Sequence, residues 1–193
     1  MIKEIEKMSN KEKRLHAKSV HMFLGIQRTK DGEKSRCICS VIKHDEEEDL
    51  KVFKAKLECI GGTWRIYKTV NARCVETARK NLIKKLIDHP EKASLVDTEW
   101  RTALLQSNCI YGEKRFMLDI DTEDHEIIDK IDELICDGIK IKDRVEMSIA
   151  DTQIKTPNGW HFIAYPFDTR EVCKIPEVTL LRDGYYFVDI IND

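Results

Sequence analysis

The amino-acid sequence predicts an α+β protein, a mixed or antiparallel sheet with flanking helices. Three observations carry this expectation. Residues 63–70 alternate apolar and polar side chains, the period of a half-buried strand. Residues 75–88 place Val75, Ala78, Leu82 and Leu86 on one face at helical spacing, with lysines on the other. The second half reads strand–helix–strand–strand–strand, an α+β arrangement with helices on one side of the sheet.

At 193 residues the chain is expected to form one domain, 1–193, made of two lobes that share a core. Residues 1–20 read as a short helix or frayed arm, and residues 21–110 as a basic N-terminal lobe. In that lobe residues 21–26 form a first strand, Lys30-Asp31-Gly32 a turn, and residues 37–42 a partner strand. The acidic run 45–49 reads as a solvated loop. Residues 52–60 alternate up to a tight turn at Gly61-Gly62, and residues 95–107 form a helix after the one at 75–88. Residues 111–193 form the second lobe. Tyr111-Gly112 turns into an apolar strand that ends in Asp119-Ile120-Asp121. Glu123 and Asp124 open a helix with the stripe Ile127, Ile131, Leu134 and Ile135, and Gly138 stops it. Strands are then expected at 144–149, 160–164, 178–181 and 185–191, with turns at 155–159 and 182–184.

The chain is 41% hydrophobic and 35% charged, with 4 prolines, a globular composition unlike a disordered or membrane one. No apolar run nears the ~18 residues of a membrane span. The N-terminal stretch is charged throughout, unlike a secretory signal. Seven cysteines are scattered at 37, 39, 59, 74, 109, 136 and 173 without a CxxC pair, so reduced thiols and a cytoplasmic setting are expected. Net charge is −2, but residues 1–100 carry 22 Lys/Arg against 16 Asp/Glu, and residues 101–193 carry 11 against 19. A basic half beside an acidic half fits a phosphate-gripping surface next to a metal-binding one. Two differently solvated surfaces fit the charge equally well.

Chemistry concentrates in the acidic half. Residues i and i+2 of a strand face the same side, so Asp119 and Asp121 stand side by side while Ile120 packs behind them. Adjacent carboxylates repel unless a cation sits between them, and oxygen donors favour Mg²⁺ or Mn²⁺. Two more strand-borne elements follow. Asn158-Gly159-Trp160-His161 places a histidine after a glycine turn, and Phe187-Val188-Asp189-Ile190-Ile191-Asn192 places an aspartate after apolar residues.

In this order, Leu118-Asp119-Ile120-Asp121, the run from Lys155-Thr156-Pro157 to His161, and Phe187-Val188-Asp189 resemble the three motifs of the archaeo-eukaryotic primase superfamily. That family includes primase-polymerases and the polymerase domains of bacterial end-joining ligases. Trp64-Arg65-Ile66-Tyr67 and Val70-Asn71-Ala72-Arg73, with the helix after them, resemble the upstream lobe of small phage-borne members. The resemblance covers residues 60–193. It implies a catalytic core with an RRM-like C-terminal unit over 111–193 and a smaller basic N-terminal lobe. It implies a primase-polymerase-like nucleotidyltransferase, incorporating nucleotides into a nucleic-acid strand during DNA replication or repair. Asp119, Asp121 and Asp189 would then be the catalytic metal ligands and His161 a contact to the incoming nucleotide. Lys155, Thr156 and Asn158 of the same turn, and Arg73 of the basic lobe, would add nucleotide contacts. Such transfer uses two divalent ions ~4 Å apart, Mg²⁺ or Mn²⁺, one activating the 3′ hydroxyl and one holding the triphosphate. The implied partners are nucleoside triphosphates, a single-stranded DNA template or primer-template, and a helicase or other replication proteins. No membrane is implied, and a phage-borne copy would act in the host cytoplasm.

The sequence departs from the family pattern in running only four residues past Asp189. Asp183, in the turn before that strand, rivals it as third ligand. Each residue also has a plain structural reading. Asp119 and Asp121, followed by Thr122, Glu123 and Asp124, fit a helix N-cap region. His161 fits a satisfied strand histidine, Arg73 a helix-start residue, and Trp64, Trp100 and Trp160 core positions. Two other functions fit the same residues: a noncatalytic nucleic-acid or replisome-binding module on a degenerate primase fold, and a two-metal nuclease.

Overall fold

The computed structural model describes residues 19–27, 36–42, 46–138 and 152–191. The expected arm over 1–18, the turn at 30–32 and the strand at 144–149 lie outside the described residues. Among those described, the chain forms β1 (Ser19–Gln27), β2 (Cys37–Ile42), α1 (Glu46–Glu58), β3 (Trp64–Thr69) and β4 (Arg73–Cys74). Next come α2 (Val75–Asp88), a 3₁₀ segment (Pro90–Leu95), α3 (Val96–Leu104), β5 (Phe116–Ile120) and α4 (His125–Gly138). The chain ends with β6 (Thr152–Thr156), β7 (Gly159–Ala164), β8 (Val178–Leu181) and β9 (Tyr185–Ile191). The arrangement is α+β, and every strand pairing is antiparallel. No described helix is long and apolar enough to cross a membrane.

One expectation fails outright. Residues 46–49 of the acidic run and most of the alternating segment after it form a single helix, α1. Glu46, Glu47, Glu48 and Asp49 occupy its first turn, where negative charge offsets the exposed N–H groups. Phe53 and Leu57, one turn apart, are its buried face, and Val52 points to solvent. Gly61 and Gly62 end the excursion at φ of 75° and 89°, backbone that a side chain disfavours. By contrast, 75–88 is helical as its period predicts, and the helix expected over 95–107 runs from Val96 to Leu104.

Two sheets pack against each other; the first carries α1 on one face and α2 and α3 against β1 on the other, and the second carries α4. The first has the order β2-β1-β3-β9, with β4 also paired to β1. On one face Phe23, Trp64 and Ile66 bury against Phe53 and Leu57 of α1, and the Phe23 and Phe53 rings stack at 5.7 Å. On the other face of β1, Met22 packs on Ala78 of α2 and on Ala103 and Leu104 of α3. The second sheet has the order β6-β7-β5-β8. Leu118, Ile120 and Phe162 cover Ile128, Ile131 and Ile135 of α4; of the predicted stripe Ile131 and Ile135 are buried, Ile127 and Leu134 are partly buried, and Ile128 joins them. The opposite face, with Met117 and Ile163, meets Val70 at the end of β3.

The closing strand does not complete the second sheet. After β8 the turn at 182–184 carries the chain across, and β9 pairs with β3 of the first sheet. The two lobes therefore interlock. A buried clamp fixes the crossing. Arg73, whose side chain is 2% exposed, donates Nη1 and Nη2 to the two carboxylate oxygens of Asp183 at 2.8 and 2.7 Å. Asn71 Nδ2 donates to the same carboxylate at 3.0 Å and to the Arg115 carbonyl at 3.1 Å, and its Oδ1 accepts the Arg115 N–H. The Val70 N–H closes the corner on the Gly184 carbonyl at 2.9 Å.

Removing one partner of such a pair strands a buried charge. Asp183→Ala is expected to lower unfolding stability by about 3 kcal/mol, read as a shift in the urea midpoint at constant slope. A loss under ~1 kcal/mol would contradict the clamp, because that is the size of a surface ion pair.

Candidate functional site

The central strand of the second sheet sets the site. Asp119 on β5 lies directly opposite His161 on β7, and both face the first sheet. Asp121 follows the last residue of β5, and its N–H stays bound to the Glu177 carbonyl at 2.9 Å, so the strand direction continues through it. Asp119 and Asp121 open into one cavity of about 200 Å³ between the two sheets. The helix after them is capped by other residues: Asp124 Oδ1 accepts the Glu126 N–H at 2.9 Å, and Thr122 Oγ1 accepts the Asp124 N–H at 3.1 Å. Neither Asp119 nor Asp121 serves as that cap.

Gly159 decides how close the β6–β7 hairpin can come. A Cβ there would lie 1.9 Å from the Ile120 carbonyl oxygen and 3.0 Å from the Thr122 nitrogen. Only a glycine lets the hairpin seat against the end of β5, which brings Thr156, Pro157 and Asn158 to the mouth of the cavity beside the carboxylates.

His161 is 5% exposed and both of its ring nitrogens are engaged. The Phe187 N–H donates to Nδ1 at 2.9 Å, which leaves the proton on Nε2, 3.2 Å from Asp119 Oδ1. β9 thus selects the tautomer, leaving the N–H on the ring nitrogen nearer Asp119.

The first sheet supplies the opposite wall. Arg65 and Tyr67 alternate with the buried Trp64 and Ile66, so they face the cavity, together with Tyr185 and Phe187 of β9. The Tyr67 and Phe187 rings meet edge to face at 6.0 Å. Burial pushes the Tyr185 phenol up to about 12, so its hydroxyl stays neutral. The sequence signal for Arg65 and Tyr67 was present in the alternation of 63–70, but it marks a face and does not say what that face meets.

Asp119, Asp121, His161, Thr156 and Asn158 therefore come together, whereas four other candidates go elsewhere. Lys155 pairs with Trp160 across the hairpin, donates to Glu123 at 2.6 Å and lies over the Trp160 ring. Arg73 and Asp183 are spent on each other in the clamp. Asp189 is diverted by a bulge. Tyr67 pairs with Phe187 and Ile66 with Asp189, so Val188 is an extra residue and the alternation of β9 slips by one. Asp189 consequently shares the side of Ile66 and forms an ion pair with Lys54 of α1. Burial alone would push its carboxyl up, but the Lys54 ammonium and the Ile190 N–H outweigh that and hold it below the ordinary aspartate value.

Two carboxylates suit one hard divalent ion whose remaining ligands are water and substrate oxygens, the usual Mg²⁺ arrangement. They do not supply the three bridging carboxylates of the two-ion site that the resemblance implies. Among the described residues no cluster of three or more His, Cys, Asp or Glu side chains is placed to hold a metal unaided. Compared with family models, curated proteins and solved structures, the chain matches none.

The Lys54–Asp189 pair has a pH signature. A depressed carboxyl contributes stability at neutral pH and loses it as the pH falls through its lowered value. In Lys54→Met the carboxyl is expected to titrate upward, to or above the ordinary 3.8, followed by NMR of the aspartate side chains. An unmoved titration would mean that Lys54 does not hold Asp189.

Proposed function

We propose that this chain is a metal-dependent nucleotidyl-transfer domain of primase-polymerase type, taking nucleoside triphosphates and a DNA strand. The observation that carries the reading is the convergence of Asp119, Asp121, His161 and the 156–158 turn on one inter-sheet cavity. The strand order of the second sheet adds support. β5-α4-β6-β7-β8 with spatial order β6-β7-β5-β8 is that of a split βαβ unit, the RRM-like arrangement. Its second crossover is reduced to a single 3₁₀ turn, Val172–Lys174.

In this reading Asp119 and Asp121 would hold Mg²⁺ or Mn²⁺, which supplies charge neutralisation for the phosphates and activates an attacking hydroxyl. The protein's own residues do the rest. His161 stands with Nε2 3.2 Å from Asp119 Oδ1, beside the carboxylate that would hold the ion. Thr156 and Asn158 place a hydroxyl and an amide at its mouth. The neutral Tyr185 phenol, Tyr67 and Phe187 form a wall that limits water on the side of the first sheet.

One observation favours a second reading, a nucleotide- or nucleic-acid-binding module without turnover. Asp189, the third carboxylate of the family pattern, is tied to Lys54. Such a module would bind DNA or a replication partner in EDTA and incorporate nothing.

The two readings separate in one assay: single-stranded template, Mn²⁺ and labelled dNTPs or NTPs, with and without primer. The transfer reading expects incorporation that Asp119→Ala and Asp121→Ala each abolish. Their melting temperatures in metal-free buffer should match or exceed wild type, because a like-charge repulsion is gone. Wild-type incorporation by either variant removes the assignment, and EDTA-insensitive DNA binding without incorporation selects the module.

A further inference from the structure

The cations that the family pattern offers for the phosphates are not available to the cavity. Lys155 is engaged by Glu123, Arg73 by Asp183, and His161 lies with Nε2 3.2 Å from Asp119 Oδ1. Among the described residues, the one Lys or Arg that lines the cavity is Arg65. It forms no ion pair among them, and its Nε, like Arg73 Nε, Glu99 Oε2 and Trp160 Nε1, is closed off from solvent without a hydrogen-bond partner. Most polar groups in that position are satisfied, and a shielded guanidinium N–H is among the costlier ones to leave open. Asp119 and Asp121 share the cavity, yet neither bonds to Arg65.

We propose that Arg65 is the anion-binding residue of this cavity, and that the cavity takes the phosphate chain of a nucleoside triphosphate while the base lies outside it. The inference rests on the transfer reading above for the identity of the ligand. Two features give the division of the ligand. Pockets that enclose a whole drug-sized ligand run from about 300 to 1,000 Å³, and this cavity is about 200 Å³. Its two walls are also opposite in charge. An anion reaches the Asp119–Asp121 wall only through a divalent cation, whereas Arg65 can take phosphate oxygens directly through its planar fork. A polyphosphate bridging the two walls satisfies both, and a single phosphate satisfies one.

Binding can be read without turnover. The full chain is titrated calorimetrically with inorganic triphosphate, dATP and dCTP, each with and without Mg²⁺. Wild type is expected to bind all three with similar affinity, because the base adds little, and more tightly with Mg²⁺ present. Arg65→Gln should weaken inorganic triphosphate binding about tenfold or more, even without Mg²⁺. Arg65→Lys should fall between the two, and Arg79→Gln, on the exposed face of α2, should match wild type. Wild-type affinity in Arg65→Gln overturns the assignment; if that variant does not fold, wild-type affinity in Arg65→Lys does so. Strong discrimination between dATP and dCTP overturns the placement of the base. Incorporation is scored in parallel. If it is absent while triphosphate binding remains Arg65-dependent, the transfer reading fails and the role of Arg65 stands. If it is present while Arg65→Gln binds normally, the reverse holds.

Discussion

The Arg73–Asp183 pair is the interaction on which the rest of the molecule depends. It sits where the chain leaves the second sheet and enters the first, and it joins residues 110 apart in sequence through two short charge-assisted bonds. Without it the turn at 182–184 would keep only backbone contacts, such as Val70 N–H to the Gly184 carbonyl, to hold β9 at its entry beside β3. The cavity exists because β9 makes that crossing. Its residues Tyr185 and Phe187 line one wall, and the Phe187 N–H reaches back to orient His161 on the other. A structural ion pair thus governs a site to which it contributes no ligand.

Electrostatics within the cavity are unbalanced in an informative way. Two carboxylates face it from one sheet and one guanidinium from the other, with His161 between them accepting the Phe187 N–H at Nδ1. Nothing in that set neutralises itself: the acids do not bond to Arg65, and Arg65 leaves a shielded N–H open. Of these three charged groups, Arg65 has the atom shielded from solvent, its Nε, and a shielded donor is costly to leave unpaired. A metal-bound polyphosphate has the charge pattern that would do so, positive toward Asp119 and Asp121 and negative toward Arg65.

Much of this was legible in the sequence, for identifiable reasons. The α4 stripe, the 75–88 helix and the alternating strand at 63–70 follow from side-chain period alone, and the placement of Asp119 beside Asp121 follows from the pleat. Gly159 was recognised as a turn residue, but its role against the Ile120 carbonyl depends on a neighbouring strand. Three failures have physical causes. The acidic run 46–49 resembles a loop in composition, yet its charges suit a helix N-terminus, and Phe53 with Leu57 supplies the apolar face. Asp189 fits a metal-ligand motif by spacing, but one extra residue in β9 turns it to the opposite side, and a bulge leaves no trace in spacing. Lys155 and Arg73 have the right chemistry for phosphates, but nearby acids engage them first, and pairing across 32 or 110 residues cannot be read from a motif.

The proposed site at Asp119 and Asp121 would hold one divalent ion, to which the rest of the cavity would add a polyphosphate. Mn²⁺ binding followed by electron paramagnetic resonance tests it without requiring catalysis. The account predicts one Mn²⁺ per chain, weakened in Asp119→Asn and in Asp121→Asn, unaffected by Asp189→Asn, and tightened by inorganic triphosphate. Mn²⁺ that fails to bind, or that binds equally well to both Asp119→Asn and Asp121→Asn, would contradict it.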